Sequence, residues 1–149
     1  MDLSDRMARG FIAGVFAGAI QDAVDYLSYA LNINDLRYID WVAIIIFNHK
    51  PTSISETALA AGGELFFSGI LGVVFAYLIP KVTSKNFLFK GWVYGVLVWF
   101  ALYSIMELFK VKGLTAINVS SAASDVVTSS IYGLLLAVSL IWLDKKVRV

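Results

Sequence analysis

Four stretches of this chain are too long and too apolar to be surrounded by water. A helix needs about 20 mostly apolar residues to cross a hydrocarbon core about 30 Å thick. Residues 8–31, 57–79, 91–109 and 122–143 each come to about that length. Overall 59% of the residues are apolar and 15% charged, against about 45–50% and about 25% in soluble domains. The excess needs cover, and the spacing of the charges points to lipid. The expected fold is all-α: an integral membrane four-helix bundle forming a single transmembrane domain over 1–149.

The edges of these stretches carry helix chemistry. Ser53 and Glu56 have capping-box spacing before the second span. Pro80 stops that helix, and Gly113 lies past the third, where a left-handed cap is common. A fifth apolar run, Trp41 to Phe47, is too short to cross. It reads as a re-entrant or interfacial segment, or a strand-like loop, inside an inserted stretch of about 36–55. Arg6 and Arg9 precede the apolar run GFIAGVFAGAI as they would in a signal peptide. No small-x-small cleavage site follows, so the first span is expected to be retained.

With four spans, both termini and the loop between the second and third spans share a side. That side carries eight basic residues (Arg6, Arg9, Lys81, Lys85, Lys90, Lys145, Lys146 and Arg148), against Arg37, Lys50, Lys110 and Lys112 opposite. The positive-inside rule then puts both termini in the cytoplasm. The loops leave no room for a soluble catalytic or ATP-driven module. Absence of cysteine excludes disulfides, thiolate metal sites and cysteine nucleophiles. A net charge of +1 without a basic stripe argues against nucleic acid. His49 is the single histidine, which excludes bis-histidine haem and His-rich zinc. With no cofactor fingerprint either, no cofactor is expected.

The chain reads as one two-helix hairpin used twice. GWVYGVL (91–97) lies on GFIAGVF (10–16) at an offset of 81, each after a basic residue; DVVTSSIYGLLLA (125–137) lies on ELFFSGILGVVFA (64–76) at an offset of 61. The difference is 20 extra residues in the first copy's loop, roughly the stretch holding the short apolar run. Two tandem copies that each cross twice point the same way, giving a pseudo-two-fold along the membrane normal. Gly10, Gly14 and Gly18 form overlapping GxxxG steps; Gly72, Gly91, Gly95 and Gly133 add further small faces. Such faces pack helices closely, within one bundle or at a homodimer seam.

The acids set the functional question. At 1.5 Å per residue, Asp22 and Asp25 lie about 20 and 24 Å above Arg9, Glu64 about 24 Å above Pro80, Glu107 about 26 Å above Lys90, and Asp125 about 28 Å above Asp144. All five fall in the outer half of the bilayer, where a lone charge costs at least a few kcal/mol. No basic residue lies mid-span. The pattern suits a site for protons or hard cations such as Na⁺, Ca²⁺, Mg²⁺ or Mn²⁺, unless Glu107 and Asp125 are simply interfacial. The expected site is an outward-facing acidic cavity for a cation, proton or cationic small molecule, of a kind that would serve transport. Asp22, Asp25, Glu64 and Asp125 would be ligands, Tyr103 and Tyr132 their hydrogen-bonding neighbours, and Glu107 and His49 would stand at the mouth. A second reading is a scaffold whose glycine faces dock a partner helix. An intramembrane enzyme using two carboxylates as acid and base is a third.

The glycine-spaced first span GFIAGVFAG, the segment from FSGILGVVFAYLIPKV through GWVYGVLVWF, and the closing SDVVTSSIYGLLL resemble the YagU-like and YqhR-like families of small bacterial membrane proteins. The resemblance implies a four-span protein of the bacterial inner membrane and no established activity. An intramembrane histidine of such families has no counterpart here.

Overall fold

In the computed structural model, residues 5–82, 85–114 and 117–147 are described, without the side chains of 145–147. Arg148 of the basic tally lies outside them. The elements are α1 (Arg6–Ala30), α2 (Tyr38–Phe47), α3 (Ile54–Leu78), a 3₁₀ turn (Ile79–Lys81), α4 (Phe87–Leu108) and α5 (Val119–Val147). The fold is all-α. Among the described residues three helices are long and apolar enough to cross a membrane: α3 with its 3₁₀ turn, α4 and α5. The 25-residue α1 matches them in length, but Gln21, Asp22 and Asp25 interrupt its apolar run. Side chains such as Phe16, Phe66, Leu97, Phe100, Val127 and Val138 point outward with 50–61% of their surface exposed. An outward apolar coat is what lipid requires, so the chain is a multi-pass membrane protein.

Helix ends follow side-chain chemistry. Asp5 caps α1 through the Met7 N–H, and Asn86 caps α4 through the Phe89 N–H. Ser53 Oγ accepts from Glu56 N at 3.2 Å, while the Glu56 carboxylate turns to Thr52 N and Oγ1. Pro80 tightens the end of α3 into the 3₁₀ turn. The end of α4 departs from expectation. The helix stops at Leu108, and Lys110 (φ 49°) already adopts the left-handed conformation three residues before Gly113.

Glycine sets the packing. A Cβ on Gly14 would lie 2.3 Å from the Ser68 carbonyl oxygen, and one on Gly72 would lie 2.2 Å from that of Gly10. In the second hairpin a Cβ on Gly95 would lie 2.1 Å from Ser129 O, and one on Gly133 would lie 2.1 Å from Gly91 O. Gly18 presses on the Ser68 side chain. The α1–α3 and α4–α5 pairs thus meet backbone to backbone, and their glycine faces are consumed inside the chain. The Gly10–Gly14–Gly18 face is therefore a packing face within one bundle.

The hairpins join where α1 meets α5, tied by Arg9–Asp144 (2.8 Å) at one end and Ser28–Ser124 (2.6 Å) at the other. Opposite, α3 and α4 stay apart and are bridged by side chains: Tyr94 OH donates to Leu71 O at 2.7 Å, and Phe75 packs on Phe87 and Tyr94. One apolar core of Ala13, Ala17, Phe75, Tyr132 and Leu136 fills this half. A second core, of Trp41, Ile44, Met106 and Leu114, docks α2 against the far end of α4.

Candidate functional site

Four of the five acids come together at the α2 end of the bundle, in two adjoining groups. In the first, Asp25 and Asp125 are 1% and 2% exposed and share one amide. Asn34 Nδ2 donates to Asp25 Oδ1 at 3.0 Å and to Asp125 Oδ1 at 2.8 Å. Asp25 Oδ2 takes the Tyr38 N–H at 2.8 Å, at the start of α2, where a carboxylate complements the helix dipole. Asp125 Oδ2 takes the Tyr103 hydroxyl at 2.6 Å. The Tyr38 hydroxyl reaches Asp125 O, Thr128 Oγ1 and Ser129 Oγ at 3.1–3.3 Å. Burial first, and the Asp125 charge second, push the Tyr38 phenol above its ordinary pKa, so it keeps its proton and serves as a donor. Every carboxyl oxygen of this group has a donor. It is a completed polar network that pins the 31–37 loop and α2 onto α1 and α5.

The second group is incomplete. Glu64, 6% exposed, accepts from Ser68 Oγ at 2.7 Å through Oε1. Its Oε2 and the Asp22 Oδ1 are buried without any donor, and the two carboxyls face each other across the α1–α3 contact. Two carboxylates side by side in apolar surroundings repel, so such a pair is completed by a shared proton or by a cation.

Glu64 also lines a cavity of about 320 Å³ between α3 and α4, roofed by α2. Gln21, Ser68, Ser129 and Tyr132 supply its polar groups; Trp41, Val42, Ile45, Phe67, Leu71 and Met106 are among its apolar walls. Tyr132 donates to Ser68 O at 2.7 Å, holding the floor. Gly63 lets α2 approach α3, since a Cβ there would sit 3.1 Å from Val42 Cγ1.

Two residues expected at the mouth lie elsewhere. Glu107 pairs with Lys110 on the exposed face of α4. His49 is exposed, with Nδ1 2.7 Å from Lys50 O and its ring stacked on Phe47. Arg37, a candidate partner for the acids, is taken by Asp40 through Nη2–Oδ1 (2.7 Å) and Nε–Oδ2 (3.2 Å). These bonds hold the Arg37 pKa above its ordinary value. Among the described residues no group of three or more His, Asp or Glu side chains is disposed to hold a metal ion.

Sequence reasoning did not find Asn34, Tyr38 or Gln21. Asn34 and Tyr38 lie in or beside a loop whose position depends on tertiary contact. A usable signal was the i, i+4 step from Gln21 to Asp25, which puts an amide on the inward face of α1.

No protein-family model matches the sequence. No curated protein and no solved structure matches it either.

Proposed function

We propose that this membrane protein binds a small lipophilic cation, an ammonium with an apolar body, in the cavity between α3 and α4, with the charge seated on Asp22 and Glu64. The observation that carries this reading is a pair of buried carboxyl oxygens without donors, one of whose residues opens onto an apolar-walled cavity of about 320 Å³. An N⁺–H donor would complete both oxygens, and the ligand's apolar part would match the walls. Hard divalent ions want six to eight oxygens, more than this pair offers. A proton is the competing occupant. Asp25 and Asp125, already fully paired, act as framework on this reading.

Further parts of the proposal rest on sequence and contacts together. Asp22 and Tyr103 are 81 residues apart, and Glu64 and Asp125 are 61 apart. The Asp22–Glu64 contact therefore has its counterpart in the Tyr103–Asp125 hydrogen bond, and the glycine contacts recur at the same offsets. Both support two tandem copies of one hairpin. The basic excess at the end bearing both termini supports a cytoplasmic location for them. The cavity would then face the outer half of the bilayer and serve uptake or passage of the cation.

Calorimetric titration of the purified full chain in detergent with octylammonium, and with octanol as its neutral counterpart, tests the site. Octylammonium should bind and octanol should bind at least about tenfold more weakly, since a charge-assisted hydrogen bond contributes about 1.5–3 kcal/mol. Glu64→Gln should remove that preference, and binding should weaken as pH falls because a proton takes the ammonium's place. Equal binding of the two probes, or an unchanged preference in Glu64→Gln, overturns the proposal.

A further inference from the structure

At the opposite end of the bundle, α1, the 3₁₀ turn after α3, α4 and α5 diverge around a second cavity, of about 440 Å³. Its walls are apolar and include Pro80, Phe87 and Leu140; its polar groups are Arg6, Arg9 and Asp144. Arg9 spends Nη1 on Asp144 at 2.8 Å, and a guanidinium has five N–H donors. Arg6 rests on the Tyr77 ring, 5.8 Å from its centroid, and pairs with no carboxylate among the described residues. Both arginines sit at the start of α1, whose first turn contains no acid. The Asp5 carboxylate already caps that helix end through the Met7 N–H, so the positive potential against the apolar wall comes from the two guanidiniums that line the cavity.

We propose that this cavity binds the phosphodiester of an anionic phospholipid, held by Arg6 and Arg9, with the acyl chains descending along Phe87, Pro80 and Leu140. A planar guanidinium matches phosphate oxygens in paired hydrogen bonds. Among the residues that line the cavity, two arginines against one aspartate leave a single positive charge, which a phosphodiester monoanion neutralises. A free phosphate has the charge but nothing to place on the apolar wall. Basic pockets between membrane helices are read as lipid-headgroup sites on the same grounds. This inference is independent of the acidic cavity and stands or falls apart from it.

The test is native mass spectrometry of the delipidated full chain titrated with dihexanoyl phosphatidylglycerol, dihexanoyl phosphatidylcholine and glycerol 3-phosphate. Phosphatidylglycerol should bind at least about tenfold more tightly than either other probe, and Arg6→Gln should lower its affinity by about tenfold, the scale of one charge-assisted contact. Asp144→Asn, which removes the competing carboxylate, should tighten it. Equal binding of phosphatidylcholine, equal binding of glycerol 3-phosphate, or an Arg6→Gln protein that holds phosphatidylglycerol as the parent does would each overturn the proposal. So would an Asp144→Asn protein with unchanged or weakened affinity.

Discussion

Adding one methyl group at Gly14 should cost this bundle far more than adding one at Gly62, although both lie in long helices. Alanine is the better helix former by about 0.5–1 kcal/mol, so propensity alone predicts that both substitutions stabilise. At Gly62 an added Cβ meets nothing within 4 Å, and the gain should be realised. At Gly14 the Cβ would lie 2.3 Å from Ser68 O and 2.9 Å from Gly69 Cα, both backbone atoms that no rotamer change can move. Restoring ordinary contact requires α1 and α3 to part by roughly 1 Å, a gap that forfeits a quarter to a half of the dispersion attraction of each contact it opens. Overpacking of this kind costs about 1–3 kcal/mol, so Gly14→Ala should be destabilised by about 2 kcal/mol after the propensity gain. The same displacement would part Asp22 from Glu64, which face each other on this interface, and octylammonium binding should weaken with it. Thermal unfolding in detergent, followed by the circular dichroism of the helices, measures the first effect, and calorimetry measures the second. Equal melting temperatures for Gly14→Ala and Gly62→Ala would refute the argument that these glycines set the interhelical distance.

Other substitutions separate the two acid groups. Asn34→Leu removes the donor shared by Asp25 and Asp125 and should destabilise by about 3 kcal/mol, the scale for stranding buried carboxylates; a parent-like melting temperature would contradict it. Tyr103→Phe removes one hydrogen bond to Asp125 and should cost about 1–3 kcal/mol, read in the same melt. Glu107→Gln and His49→Ala, at exposed positions, should each change stability by less than about 0.5 kcal/mol and leave octylammonium binding unaltered. A tenfold binding loss in either would return these residues to the site.

Helices α3, α4 and α5 were readable because their cause is local: apolar runs of bilayer length, with Ser53 capping α3 and Pro80 ending it. The convergence of the acids was readable from depth alone, since counting residues from each helix end put Asp22, Asp25, Glu64 and Asp125 in one layer. Depth says nothing about rotation. Glu107 is one residue from Met106, and a helix turns about 100° per residue; Met106 is buried at 7% exposure while Glu107 faces outward. His49 follows the left-handed Asn48 (φ 62°), beyond the end of α2. Nor does depth show which carboxylates find donors. Asn34 reaches Asp125 across 91 positions of sequence, and Arg37 is claimed by Asp40 three residues away.

On the proposed duplication, that unequal supply of donors has one origin. Glu64 and Asp125 occupy matching positions, yet Asp125 is fully bonded and Glu64 Oε2 has no donor. Asp125's donors come from Tyr103, within its own hairpin, and from Asn34, in the loop that the first copy carries in longer form. That loop occurs once, and its amide goes to Asp25 and Asp125, which leaves Glu64 Oε2 without a donor. The α2 segment which follows it packs on the far end of α4 and roofs the space between α3 and α4, where the close approach seen between α1 and α5 has no equivalent. A single insertion into a symmetric pair of hairpins would therefore produce both the cavity and the donorless carboxyl at its edge. The proposed binding site lies where the two copies stop being alike.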